Sequence, residues 1–104
     1  MNDYLVAWAA GIFEGEGHAD FPAKIHVTQK KRWLVYRLRD LFGGRVFRFG
    51  RTTKYYRWQA SGDCARAFLT RISPLLSPHK FRQVSLALEA KSRGWVYKPG
   101  LLTN

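Results

Sequence analysis

Trp8-Ala9-Ala10-Gly11-Ile12-Phe13-Glu14-Gly15-Glu16-Gly17 sets two carboxylates and three glycines at the end of an apolar run. The chain around it is basic, with 18 Lys and Arg against 7 Asp and Glu over 104 residues and a formal charge of +11. Two of those seven acids therefore stand two positions apart in one short segment. In a chain built to approach a polyanion, carboxylates at the contact surface are repelled unless a divalent cation lies between them and the phosphates. Hard cations take oxygen ligands and bridge the two.

Upstream, Asp3 is placed to cap a helix running from Tyr4 to Gly15, which Gly15 and Gly17 then end. Ala7, Gly11 and Gly15 recur every four residues, so one stripe of that helix carries almost no side chain. Small residues at that spacing let another helix approach closely, and read by themselves they point to a tight contact inside the monomer.

Downstream, His18 to Thr28 reads as a short hairpin turning at Pro22-Ala23, with Lys24, His26 and Thr28 alternating against Ile25 and Val27. Trp33 to Phe42 has helical spacing, with Trp33, Leu34, Leu38, Leu41 and Phe42 as its apolar set, and Gly43-Gly44 stops it. A second hairpin pairs Arg45–Phe49 with Tyr55–Ala60 around a loop holding Arg51 and Lys54. In its second strand Tyr55, Arg57 and Gln59 oppose Tyr56, Trp58 and Ala60; in its first, Arg45, Phe47 and Phe49 oppose Val46 and Arg48, and alternation alone does not say which set is buried. Ser61 or Asp63 caps a helix bearing Ala65, Phe68, Leu69, Ile72 and Leu76, whose regular part Pro74 ends. Ser77-Pro78 opens a last helix with Phe81, Val84 and Leu88 in a stripe. The order predicts an α+β fold, a twisted antiparallel sheet with helices on one face. The other face then presents Lys24, His26, Thr28 and Arg57, with Lys30 and Arg45 beside them and Arg51 and Lys54 at the loop. A ribbon of that shape fits the major groove of a duplex.

Composition bounds the rest. Hydrophobic residues at 46% and aromatics at 15% argue for one folded domain, taken as residues 1–97 with a loose tail over 98–104. The charge favours nucleic acid over a membrane surface. No run approaches the roughly 20 apolar residues of a membrane span. Tyr4 to Phe13 lacks a basic leader and does not read as a signal peptide. Cys64 is alone, which excludes an intrachain disulfide and points to a reducing, cytoplasmic setting. No Cys/His cluster suggests structural zinc.

Ala9 to Gly17 resembles the nine-residue motif that names the LAGLIDADG homing endonucleases, with both acids as Glu. Val27-Thr28-Gln29-Lys30 with Arg32-Trp33 resembles the strand end entering that family's second helix. Phe42-Gly43-Gly44-Arg45-Val46 and Tyr56-Arg57-Trp58 resemble its second hairpin, and Lys80 with Gln83 resembles the basic residue and its neighbour in the last helix. The matches run in order across residues 4–90. The resemblance implies an αββαββα(α) fold and a divalent-metal-dependent, site-specific double-strand DNA endonuclease. One motif per chain implies a homodimer on a pseudo-palindromic site.

The resemblance also assigns roles. Glu16 and the Gly15 carbonyl would hold catalytic Mg²⁺, or another divalent ion such as Mn²⁺. Gln29, Lys80 and Arg32 would order the water that attacks the phosphate. Ala7, Ala10 and Gly11, with Glu14 beside them, would line the two-fold helix contact; the family's first acid is structural, capping or hydrogen-bonding near that contact. His18, directly after the motif, is placed to touch a phosphate or base. Gly17 to Gln29 is short for the family's reading arm, which predicts a compact footprint. The same scaffold also serves cleavage-inactive DNA-binding regulators and RNA-binding splicing helpers, the alternative reading of this chain.

Overall fold

The computed structural model describes residues 2–51 and 54–88. Nine elements follow in order: α1 (Asp3–Glu16), β1 (Gly17–Asp20), β2 (Lys24–Gln29), α2 (Arg32–Phe42), β3 (Arg45–Phe49), β4 (Tyr55–Ser61), α3 (Gly62–Ile72), a 3-10 turn (Ser73–Leu75) and α4 (Pro78–Leu88). The strands form one antiparallel sheet in the order β1-β2-β4-β3. The fold is the α+β arrangement expected from the sequence. The tail expected over 98–104 lies outside the described residues, as does the end of the expected domain.

Asn2, not Asp3, caps α1: its side-chain oxygen accepts a hydrogen bond from the Leu5 N–H at 2.9 Å, and Asp3 is already helical. Gly15 lies within the helix, which ends at Glu16 with no left-handed residue. Gly17 has an extended backbone (φ −82°) and opens β1 at once. Glycine is required there because a Cβ would collide with the Phe13 ring.

Ile25 and Val27 of β2 and Trp58 and Ala60 of β4 face the helices and are buried. Phe68 of α3 is the hub of the core, its ring meeting Phe42 at 4.8 Å, Trp58 at 5.0 Å and Phe13 at 5.7 Å, all edge-on. The Trp58 indole N–H donates to the Gly43 carbonyl at 2.8 Å, so its polar atom is satisfied inside the core.

The ambiguous strand is settled by register. Val46 opposes Trp58 and Arg48 opposes Tyr56, so these two face the helix side, while Arg45 and Phe47 oppose Gln59 and Arg57 on the open side. Arg48 is not buried, so no charge enters the core. Phe47 carries the Arg45 guanidinium over its ring at 5.5 Å. In α2 the expected apolar set is corrected at its first member: Trp33 is 60% exposed, and Val35 and Leu38 are the buried residues. Leu34 and Phe42 of the expected set still pack against the core.

Gly44 has φ +86°, and a Cβ on it would lie 2.6 Å from the Gln59 carbonyl oxygen and 2.9 Å from the Trp58 indole nitrogen. Gly44→Ala is expected to cost roughly 1–3 kcal/mol from the backbone conformation alone, before that crowding. Urea unfolding that left the midpoint unchanged would show that the turn relaxes freely.

Candidate functional site

The C-terminal turn of α1 carries Glu14 and Glu16 at the negative end of the helix dipole, where cations are preferred. The two acids have different environments. Both Glu14 oxygens are engaged: one accepts from the Ser77 N–H and the other from its hydroxyl, each at 2.7 Å. Ser77 precedes α4, and its hydroxyl in turn accepts from the Lys80 N–H at 3.2 Å. In a capping box an acid three residues into the helix bonds back to the cap N–H. Here that position is Lys80, and Glu14 supplies the acid from α1 instead. Glu16, by contrast, is exposed and makes no hydrogen bond or ion pair with the described residues.

The Ser77 N–H, then the Ser77 hydroxyl, then Lys80 and His79 hold the Glu14 carboxyl below its ordinary value against the opposing effect of burial. Its contribution to stability is therefore present above about pH 4.5 and is lost as pH falls through the lower folded value. Glu14→Gln should flatten the acid limb of the stability–pH curve. Ser77→Ala should remove about 1 kcal/mol at neutral pH as a lost cap. An unchanged acid limb in Glu14→Gln would refute the cap.

Lys80 turns back toward α1. Its ammonium donates to the Gly17 carbonyl at 2.7 Å and to Gln83 Oε1 at 3.2 Å, and lies 5.6 Å from the centre of the Phe13 ring. Gly17 opposes Val27, and Gln29 lies two residues further along β2, about 7 Å on. Gln29 pairs with Tyr56 on the helix side of the sheet, and the Arg32 guanidinium stands 5.9 Å from the Tyr56 ring centre. Lys80, Gln29 and Arg32 thus lie at the end of the sheet where α1 joins β1, Lys80 through Gly17 and the other two through Tyr56.

The open face of the sheet carries the basic set. His18, Lys24, His26, Thr28, Arg45 and Arg57 share it by register. Lys30 follows β2 with its ammonium 5.5 Å from the Tyr55 ring, and exposed Arg51 and Lys54 lie in the β3–β4 connection. Arg57 Nε donates to the Thr28 hydroxyl at 3.1 Å. His18 and His26 are cross-strand partners with ring centres 5.1 Å apart, and His18 Nε2 donates to Asp20 Oδ1 at 3.0 Å. Burial, then Arg57 and His18, lower the His26 pKa, and Asp20 opposes them.

No protein-family model matches the chain, and no curated relative matches it in sequence. Its architecture does match solved structures. The homing endonuclease I-CvuI with its target and 2 mM Ca superposes at a TM-score of 0.66 with 19% identity, over 82% of this chain and 64% of that one. I-CvuI with the I-CreI target and 2 mM Mg, its DNA not cleaved, gives 0.67, 18%, 82% and 64%. The archaeal intron-encoded homing endonuclease I-Vdi141I complexed with DNA gives 0.66, 16%, 81% and 65%. The chain has the LAGLIDADG homing endonuclease fold. It spans less than two thirds of the length of each of these proteins.

Within this fold the α1 stripe faces outward. Ala7, Gly11 and Gly15 are exposed, and a Cβ added at Gly11 or Gly15 would meet nothing within 4 Å. Among the described residues nothing packs against Gly11 or Gly15, as a tight contact within the monomer would require. Ala10, expected beside them, is 3% exposed and lies in the core instead. Ser77 and Tyr56 were not foreseen as parts of the site. A serine before Pro78 signalled a helix start, but only the tertiary contact shows that its partner is Glu14.

Among the described residues no group of three His, Cys, Asp or Glu could hold a metal ion. No helix among the described residues is long and apolar enough to cross a membrane.

Proposed function

We propose that this chain is a divalent-metal-dependent, site-specific double-strand DNA endonuclease that acts as a homodimer. The observation that carries this reading is the exposed, uncommitted carboxylate of Glu16 at the end of a bare helix stripe, beside a basic sheet face. Glu16 and the Gly15 carbonyl would hold Mg²⁺ or Mn²⁺. Such an ion, when bound, activates water and neutralises charge on the phosphate undergoing hydrolysis.

The chain's own residues supply the remainder. Lys80, held at Gly17, presents a fixed cation near the phosphate, and its third N–H direction is left for solvent or substrate. Gln29 can both donate to and accept from a water, which orients it for in-line attack. Arg32 adds a permanent charge at the same end of the sheet. Glu14 holds α1 against the start of α4 and so sets Lys80 relative to Glu16. The open face binds the duplex: its cations contact phosphates, and Thr28, Arg57 and His26 reach base edges. Two copies joined along Ala7, Gly11 and Gly15 would place two Glu16 side chains near the axis, one for each strand of a pseudo-palindromic site.

A randomised duplex library tests this without a chosen target. The protein is incubated with the library and Mg²⁺, and the cut ends are sequenced. Paired, metal-dependent cuts around a palindromic motif are expected. Enrichment of bound duplexes without cutting would make the chain a DNA-binding regulator, and neither outcome would turn attention to RNA.

A further inference from the structure

Asp20 is the one acid among the described residues of the sheet's open face, and the metal and hydrolysis chemistry leaves it without a role. It stands where phosphates are expected to approach, which is unfavourable unless it does something there. Its carboxylate accepts from His18 Nε2 at 3.0 Å, so it fixes that ring. The fixed ring lies against His26, 5.1 Å between centres with 33° between planes. His18 is the first open-face residue after Glu16, and His26 is directly across from it. The pair is thus joined to Glu16 through Gly17 alone along the chain.

We propose that His26, braced by the His18–Asp20 pair, is a specificity-determining residue for the base pairs next to the cut, and that its protonation state selects the base. This rests on the DNA-cleaving reading above. A neutral imidazole has one acceptor nitrogen, which accepts a hydrogen bond from the amino group of adenine or cytosine in the major groove. A protonated imidazole has only donors, which match guanine N7 and O6. The groups facing His26 are His18 and Asp20 from β1, Lys24 from its own strand, and Arg57 and the neutral Gln59 from β4. Half-burial and the Arg57 charge favour the neutral ring at pH 7, and Asp20 limits how far they do. Acidification through that lowered pKa then changes what the ring can pair with.

The experiment selects bound duplexes from a randomised library at about pH 7.5 and again at about pH 5, without metal so that nothing is cut. For the unaltered protein, one symmetric pair of positions should change from adenine or cytosine to guanine, by roughly tenfold in enrichment. His26→Gln should give the same base at both pH values. His79→Gln, which changes the remaining histidine, should keep the shift. An unaltered protein whose preference is identical at both pH values overturns the proposal, as does a His26→Gln protein that keeps the change. Failure to enrich any duplex at either pH overturns the DNA reading itself, and this inference with it.

Discussion

Glu16→Gln is expected to abolish strand cleavage while leaving duplex affinity within a few-fold of the original. The side chain is exposed and has no partner among the described residues, so replacing its charge breaks no hydrogen bond and unfolds nothing. It also removes one negative charge from a surface that approaches phosphates, which by itself favours binding. What is lost is the carboxylate at this end of the sheet that has no partner among the described residues and that we assign to the cation. Metal activation of water and neutralisation of the reacting phosphate are worth several kcal/mol, or about a thousand-fold or more in rate. Glu14→Gln is the internal control, since it differs by two positions and by the same atom change. Its carboxylate is bound by Ser77, so its loss should lower stability and slow cutting only through the displacement of Lys80. Single-turnover cleavage of the selected duplex separates the two. Equal cutting by Glu16→Gln would remove Glu16 from the metal site and leave the assignment without a ligand.

The contrast between these two acids also shows where reading the sequence ran out. Their presence in a basic chain pointed to a cation, and both elements flanking them were legible from glycine placement and alternation. Their separate roles were not. Glu14 and Ser77 are 63 residues apart, and only the packing of α1 on the start of α4 makes one the cap of the other. Strand alternation placed Lys24, His26, Thr28 and Arg57 on one face because Ile25 and Val27 of β2, and Trp58 and Ala60 of β4, mark the opposite face as apolar. In β3 both sets were mixed, and pairing of Val46 with Trp58 decided the matter. The Trp33 error has the same origin: helical spacing fixed a stripe but not its rotation. Cap choice at Asn2 or Asp3 turned on a single hydrogen bond that both side chains are able to make.

Gly11→Leu is expected to convert a dimer to a monomer without destabilising the subunit. Tyr4, Ala7, Gly11 and Gly15 lie along one line of α1, and Tyr4 is 74% exposed at its head. Behind that line Ala9, Ala10 and Phe13 are buried in the subunit's own core, so the two faces of the helix have opposite fates. A Cβ at Gly11 has open space around it among the described residues, so a leucine there meets no clash with them. Leucine also favours helix over glycine by close to ~1 kcal/mol, so thermal stability of the subunit should hold or rise. Across a two-fold axis the outcome reverses. Helices that meet through Ala and Gly approach more closely than the usual range of roughly 8–10 Å allows for larger side chains, and two leucines at the crossing force them apart. The expected result is a monomer in sedimentation at concentrations where the unaltered chain is a dimer, with retained melting temperature and lost paired cutting. A dimer that survives Gly11→Leu would mean that the copies meet elsewhere, and the two Glu16 side chains would then have no reason to lie near one axis.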